Sequence, residues 1–123
     1  MATTKTKKKD LKDRLTRYRQ IKLNVIGRKT GHTISHPVWF VFEGEKLYLL
    51  PVHGSDTQWY QNVLKNRSIR IDAREAEGKF RVTPIRQAHS VKSVIEKFRE
   101  KYGARDVKKY YSKFDVAIVA EPI

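Results

Sequence analysis

The 123-residue sequence predicts an α+β domain built mainly from antiparallel strands. Three observations carry that prediction. Apolar and polar residues alternate in short runs separated by tight turns, which is the pattern of β-hairpins. Between these runs lie stretches whose apolar residues recur at spacings of three and four, the pattern of helices. No strand–helix–strand repeat of the kind that builds a parallel sheet occurs. The sheet must therefore hide its edges by curling or closing, with helices packed outside it.

The elements follow in order. MATTKTKKKD is small, polar and lysine-rich and predicts disorder. LKDRLTRYRQ places Leu11, Leu15 and Tyr18 on one face of a short basic amphipathic helix. Residues 1–19 are read as a basic leader and residues 20–123 as the folded domain. Ile21, Leu23 and Val25 alternate with Lys22 and Asn24 in a first strand. GRKTGH turns the chain into a second strand, TISHPVWFVFE, which is apolar on both faces from Val38 to Phe42. EGEK is a hairpin turn and LYLLPV a third strand. Apolar residues on both faces call for cover on both sides.

The period changes in HGSDTQWYQNVLKNR. Ser55 and Gln58 have capping-box spacing, Trp59, Val63 and Leu64 share a helical face, and Asn66 stops the helix. SIRIDAR and KFRVTPIR are alternating strands around EAEGK. Val91, Val94, Ile95, Phe98 and Tyr102 line one face of a longer helix that Gly103 ends. Val107, Tyr110, Tyr111 and Phe114 repeat the spacing, and DVAIVAE closes as a buried strand. The count is six strands with interleaved helices.

Composition narrows the function classes. The formal net charge is +14, and the first 22 residues carry half of it, with nine basic residues against two acidic ones. Such a surplus predicts attraction to polyanions: nucleic acid, anionic lipid or a phosphorylated ligand. There are no cysteines, which removes disulfides and thiolate metal sites and fits a reducing compartment. No apolar run reaches the roughly 20 residues of a membrane span. The expected location is the cytoplasm, with contact to a membrane surface through the basic leader as the variant.

Four groups of residues are candidates for chemistry. In GRKTG, Arg28 and Lys29 stand between Gly27 and Gly31, and exposed turn amides with two cations suit a phosphate. Taken alone, the same turn is an ordinary solvated hairpin tip. HGSDTQW places Gly54 before a helix start, where free amides face anions, although Asp56 stands beside that turn. His32 and His36 are four apart on a turn and strand and lack the third ligand that zinc requires, so no metal is expected; His53 and His89 read as local hydrogen-bonding residues. The aromatic residues are mostly core, and a minority suit a flat ring system or stacked bases.

Taken together and in this order, IGRKTG, HPVWFVFEGEKLYLL, GSDTQWYQNVLKN and the closing YYSKFDVAIVAEPI resemble the deazaflavin-dependent nitroreductase and quinone reductase family. That family belongs to the split β-barrel flavin and deazaflavin oxidoreductases, and the resemblance covers residues 20–123. It implies a six-stranded split β-barrel with packed helices. The cofactor it implies is coenzyme F-420 (8-hydroxy-5-deazaflavin), with FMN as the alternative. The implied activity is hydride transfer to a small planar acceptor such as a nitro compound or quinone. By the same resemblance Arg28, Lys29, Thr30 and Gly31 bind the cofactor phosphate, and Pro37, Val38 and Trp39 run beside its ring. Trp59 and Asn62 bound the site. Tyr110 and Tyr111 shape the acceptor pocket, with Tyr110, Tyr111, His36 or His53 as proton donor. Ile34 stands where many members carry an arginine. Relatives in this superfamily also include haem-, biliverdin- and fatty-acid-binding barrels, both monomers and homodimers. The alternative reading is a non-enzymatic binding module for FMN, haem or another ligand, or polyanion binding through residues 1–19.

Overall fold

A computed structural model describes residues 11–123 of the chain. The expected disorder of the first ten residues lies outside the described part. Residues 11–17 are helical (α1). They are followed by β1 (Ile21–Ile26), β2 (Thr33–Val38), β3 (Val41–Glu43) and β4 (Lys46–Leu49). A single 3-10 turn (Gly54–Asp56) leads into α2 (Gln58–Lys65). The remaining elements are β5 (Ser68–Ala73), β6 (Ala76–Ile85), α3 (Ala88–Tyr102), α4 (Ala104–Tyr110) and β7 (Ala117–Pro122). Among the described residues no helix is long and apolar enough to cross a membrane.

The strands form one sheet in the order β2-β1-β5-β6-β7-β4-β3, and every neighbouring pair is antiparallel. Its two edges, β2 and β3, are consecutive in the chain and separated only by Trp39 and Phe40. Laid flat, a sheet of this many strands would place its edge strands on the order of 30 Å apart. The step from Val38 to Val41 spans at most about 10 Å. The sheet must therefore roll until its edges meet, which is a split barrel. The expected second strand, continuous from Thr33 to Glu43, is broken at this point, so the six predicted strands appear as seven.

The break has a physical cause on α3. The Tyr102 hydroxyl accepts the Phe40 N–H at 3.0 Å and shares its own proton between the carbonyls of Arg19 (2.6 Å) and Phe40 (2.9 Å). Lys101 Nζ also donates to the Phe40 carbonyl, at 2.8 Å. Backbone groups that a continuous ladder would have paired are thus satisfied by one helix end.

The core divides into two. Leu23, Leu47, Ile71, Val82 and Ile118 fill the barrel, together with Leu11 and Leu15 of α1 and Tyr60 and Val63 of α2. Val91, Val94, Phe98, Tyr102, Val107 and Tyr111 of the C-terminal helices pack on Val41, Leu50 and Ala117 from outside. This is the two-sided cover that the apolar strands required.

Two local expectations change. The β5–β6 turn is Arg74–Glu75, both with positive φ, and Ala76 to Gly78 of the expected EAEGK turn join β6 instead. The Ser55–Gln58 capping box does not form: Thr57 is the N-cap of α2 and makes no side-chain cap, because its hydroxyl accepts the His53 amide at 2.8 Å. The Ser55 hydroxyl instead donates to Asp115 at 2.5 Å. Gly54 (φ +56) admits this docking, since a Cβ there would lie 2.1 Å from Asp115 Oδ1.

Candidate functional site

The β1–β2 hairpin tip folds back on α2. Gly31 donates to the Gly27 carbonyl at 2.9 Å, closing a one-turn loop, and its φ of +75° is the left-handed conformation that favours glycine. Inside the loop, the Arg28 amide and its Nη1 both donate to Asn62 Oδ1, at 3.1 and 2.7 Å. Arg28 Nη2 donates to Gln58 Oε1 at 2.9 Å. Asn62 is buried, so its amide oxygen is a fixed post. The partners of Arg28 are neutral, and neither Arg28 nor Lys29 belongs to an ion pair among the described residues. The tip keeps its positive charge. The Lys29 and Thr30 amides have no protein acceptor among the described residues, whereas the Arg28 amide is engaged by Asn62.

Between tip and helix lies a cleft of about 340 Å³, walled by Arg28, Lys29, Thr30, Ile34, His36, Gln58 and Asn62. His36 and Gln58 also belong to a second pocket, of about 210 Å³, bounded by Pro37, Val38, Trp39, Trp59, Tyr110 and Tyr111. The two adjoin through these shared walls, so the groove is basic at one end and aromatic at the other. The site residues expected from the sequence are therefore gathered along one groove, with two exceptions: Gly31, which shapes the tip but does not line it, and the proton-donor candidate His53.

Several take roles other than those expected. Trp39 is sandwiched between Tyr102 (4.3 Å between ring centroids, 8° between planes) and Tyr110 (4.5 Å, 14°), so only its edge meets the pocket. Trp59 is largely core, at 5% exposure. Asn62 positions Arg28. Gln58, which sequence reading treated only as a capping residue, is the second holder of the guanidinium. The HGSD segment offers no anion cradle, because the amides of Gly54 to Thr57 are bonded to Pro51, Asp115, His53 and Gly54. His53 bonds Ser112 at 2.8 Å and lines neither pocket.

Two titratable groups in the groove are perturbed. Burial lowers the His36 pKa, which favours the neutral imidazole, and its Nε2 is enclosed without a hydrogen-bond partner among the described residues. Burial, reinforced by the neighbouring Tyr102 and Tyr110, pushes the Tyr111 phenol well above its ordinary range, so it stays protonated. Among the described residues no group of three or more His, Asp or Glu side chains is placed to hold a metal ion.

Comparison with known proteins adds the following. A family model described as "Uncharacterized protein conserved in bacteria (DUF2255)" matches residues 12–118. No curated protein matches the chain by sequence. Among solved structures, the heme storage protein HutZ from Vibrio cholerae superposes with a TM-score of 0.70 at 16% identity, covering 94% of this chain and 89% of that one. An F-420 reductase superposes at 0.67 and 21% identity, covering 91% and 92%. A domain-swapped dimer does so at 0.66 and 15%, covering 97% and 96%. At these identities the likeness is one of fold.

Proposed function

The chain belongs to the DUF2255 family of uncharacterized bacterial proteins, and from the groove we propose that it is an oxidoreductase binding a phosphate-bearing, flat-ringed cofactor of the deazaflavin or flavin class and serving a small planar acceptor. The state of Arg28 carries this reading. A guanidinium fixed by Asn62 and Gln58, with no carboxylate paired to it among the described residues, is oriented in advance for an external oxyanion. Lys29 and the free Thr30 amide complete the phosphate end. The basic cleft lies within the roughly 300–1,000 Å³ usual for small-molecule sites. The aromatic pocket, where Tyr110 stacks on Trp39, falls below that range.

Arg28, Lys29 and Thr30 would hold the phosphate of such a cofactor, which would supply the hydride. The protein's own residues bind and orient. Pro37, Val38 and the edge of Trp39 form an apolar wall against the ring and exclude water. Tyr111, protonated at neutral pH, donates to an acceptor oxygen. Neutral His36 offers a single donor or acceptor at the junction of the two pockets. The domain-swapped dimer among the fold neighbours supports a homodimer as the assembly.

One observation favours a second reading, haem binding: the Nε2 of His36, enclosed and without a partner among the described residues, would be the group to hold a haem iron. A side-by-side titration with deazaflavin, FMN and haem separates the readings. Saturable quenching of deazaflavin or flavin fluorescence, weakened in the Arg28→Ala/Lys29→Ala variant, is expected. No saturable quenching by either removes the oxidoreductase reading. A shifted Soret band that His36→Ala abolishes would transfer the case to haem.

A further inference from the structure

The geometry points to a second oxyanion-binding site, outside the groove, where Arg19 and Lys101 converge on the ring of Tyr102. Arg19 Cζ lies 4.9 Å and Lys101 Nζ 5.1 Å from that ring's centroid. Trp39 lies flat over one face of the ring and Phe98 packs against it with centroids 5.9 Å apart, and the two cations share the ring surface that remains. Because Tyr110 covers the groove side of Trp39, the cations stand beyond the three-ring stack from the groove. The site is thus independent of the proposed cofactor.

Neither cation belongs to an ion pair among the described residues. The carboxylates of the surrounding elements are engaged elsewhere: Glu43 on β3 with Lys97, and Glu96 on α3 with Arg99. Glu100 is exposed, and its charge bears on Lys97. Lys101 also sits 3.6 Å from the centroid of the Phe40 ring, so its ammonium has lost part of its water. Arg19 is exposed and keeps its hydration, but its charge repels the ammonium, which has given up part of its own. Burial first, and the Arg19 charge second, accordingly pull Lys101 from 10.5 down to about 8.

Donors remain for a ligand. After its bond to the Phe40 carbonyl, the ammonium keeps two N–H groups, and the Arg19 guanidinium makes no hydrogen bond among the described residues. The Tyr102 hydroxyl is fully occupied by backbone. A guanidinium fork beside a point cation matches a phosphate or a carboxylate group. An anion there would relieve the repulsion and restore Lys101 to its ordinary range.

The test uses the full chain carrying Arg28→Ala and Lys29→Ala, which silences the groove. Thermal unfolding is followed at constant ionic strength while chloride is replaced by inorganic phosphate or, separately, by acetate. A saturable rise in Tm with either oxyanion is expected, and it should disappear when Lys101→Met or Arg19→Gln is added. Arg19 is exposed, so its variant keeps the test usable where Lys101→Met fails to fold. NMR titration of the Lys101 side chain should show its pKa rising on phosphate addition. A Tm that responds to neither oxyanion, or responds equally in the Arg19 and Lys101 variants, overturns the site and leaves Lys101 as a partner of the Phe40 carbonyl alone.

Discussion

Asn62 Oδ1 accepts both the amide and the guanidinium of Arg28, at 3.1 and 2.7 Å. One buried oxygen thereby sets the backbone and the side chain of the hairpin tip together. Asn62→Asp keeps the acceptor and its size but places a negative charge on the guanidinium, turning an open cation into an ion pair. Affinity for the deazaflavin or flavin is expected to fall about 10- to 100-fold, the worth of one charged hydrogen bond. The urea midpoint should hold or rise. Asn62→Ala should instead lower stability by about 1–3 kcal/mol, because the Arg28 amide loses its acceptor. An aspartate variant that binds as the native chain does would show that the tip holds no phosphate.

Tyr110 should be the movable wall of the groove. Of the two tyrosines on Trp39, Tyr102 is buried and bonded to backbone, whereas Tyr110 is 45% exposed and makes no hydrogen bond among the described residues. Tyr110→Ala is expected to cost about 1 kcal/mol, the scale of one stacked pair. It should also red-shift tryptophan emission and raise acrylamide quenching, since Trp39 loses its cover while Trp59 stays buried. Planar acceptors should bind more tightly to this variant and unchanged to Tyr110→Phe. Emission identical to that of the native chain would mean that the ring does not shield Trp39.

The leader is partly core. Leu15 is 1% and Leu11 5% exposed, and a Cβ on Gly78 would meet Leu11 Cδ2 at 2.6 Å. Leu15→Ala should lower stability by about 2–5 kcal/mol in urea unfolding. Removing residues 1–19 would therefore open the barrel as well as remove charge. Polyanion binding is better tested by charge reversal at exposed Lys12 and Arg17, with salt dependence as the readout. A Leu15→Ala chain as stable as the native one would show that α1 only rests on the surface.

What the sequence made legible was local. Alternation in IKLNVI and SIRIDA and the three–four spacing of Val91 to Tyr102 reflect faces that the chain itself defines. The break at Trp39–Phe40 had no local signal, because Val38 to Phe42 is uninterruptedly apolar. It is imposed by Tyr102 and Lys101, some sixty residues away. The Ser55 cap failed for a similar reason: Asp115 competes for the hydroxyl from across the fold. The basic tip was visible as GRKTG, but its fixation was not, since the Arg28–Asn62 pair exists only once α2 docks. The occupied faces of Trp39 likewise depend on a stack assembled from β2's end and the C-terminal helices.

Lys101 makes the stability of its site depend on pH. Its folded-state pKa, about 8, lies below the 10.5 of the free side chain. Between these values the unfolded chain holds a proton that the folded chain lacks, so the stability contributed at this site rises with pH across that window. The strain is present below pH 8 and is relieved as the pH approaches 10.5. Tyr102, pushed up to about 12 chiefly by burial, works the other way above pH 10, so the comparison belongs between pH 7 and 10. Subtracting Lys101→Met removes the contributions common to both chains, including those of the raised Lys97 and Lys113. In phosphate-free buffer, the Tm of the native chain minus that of Lys101→Met should increase steadily from pH 7 to pH 10. Saturating phosphate should flatten that slope, because an anion between Arg19 and Lys101 holds the ammonium charged in the folded state. A difference that does not vary with pH would mean that the ammonium carries no strain for an anion to relieve.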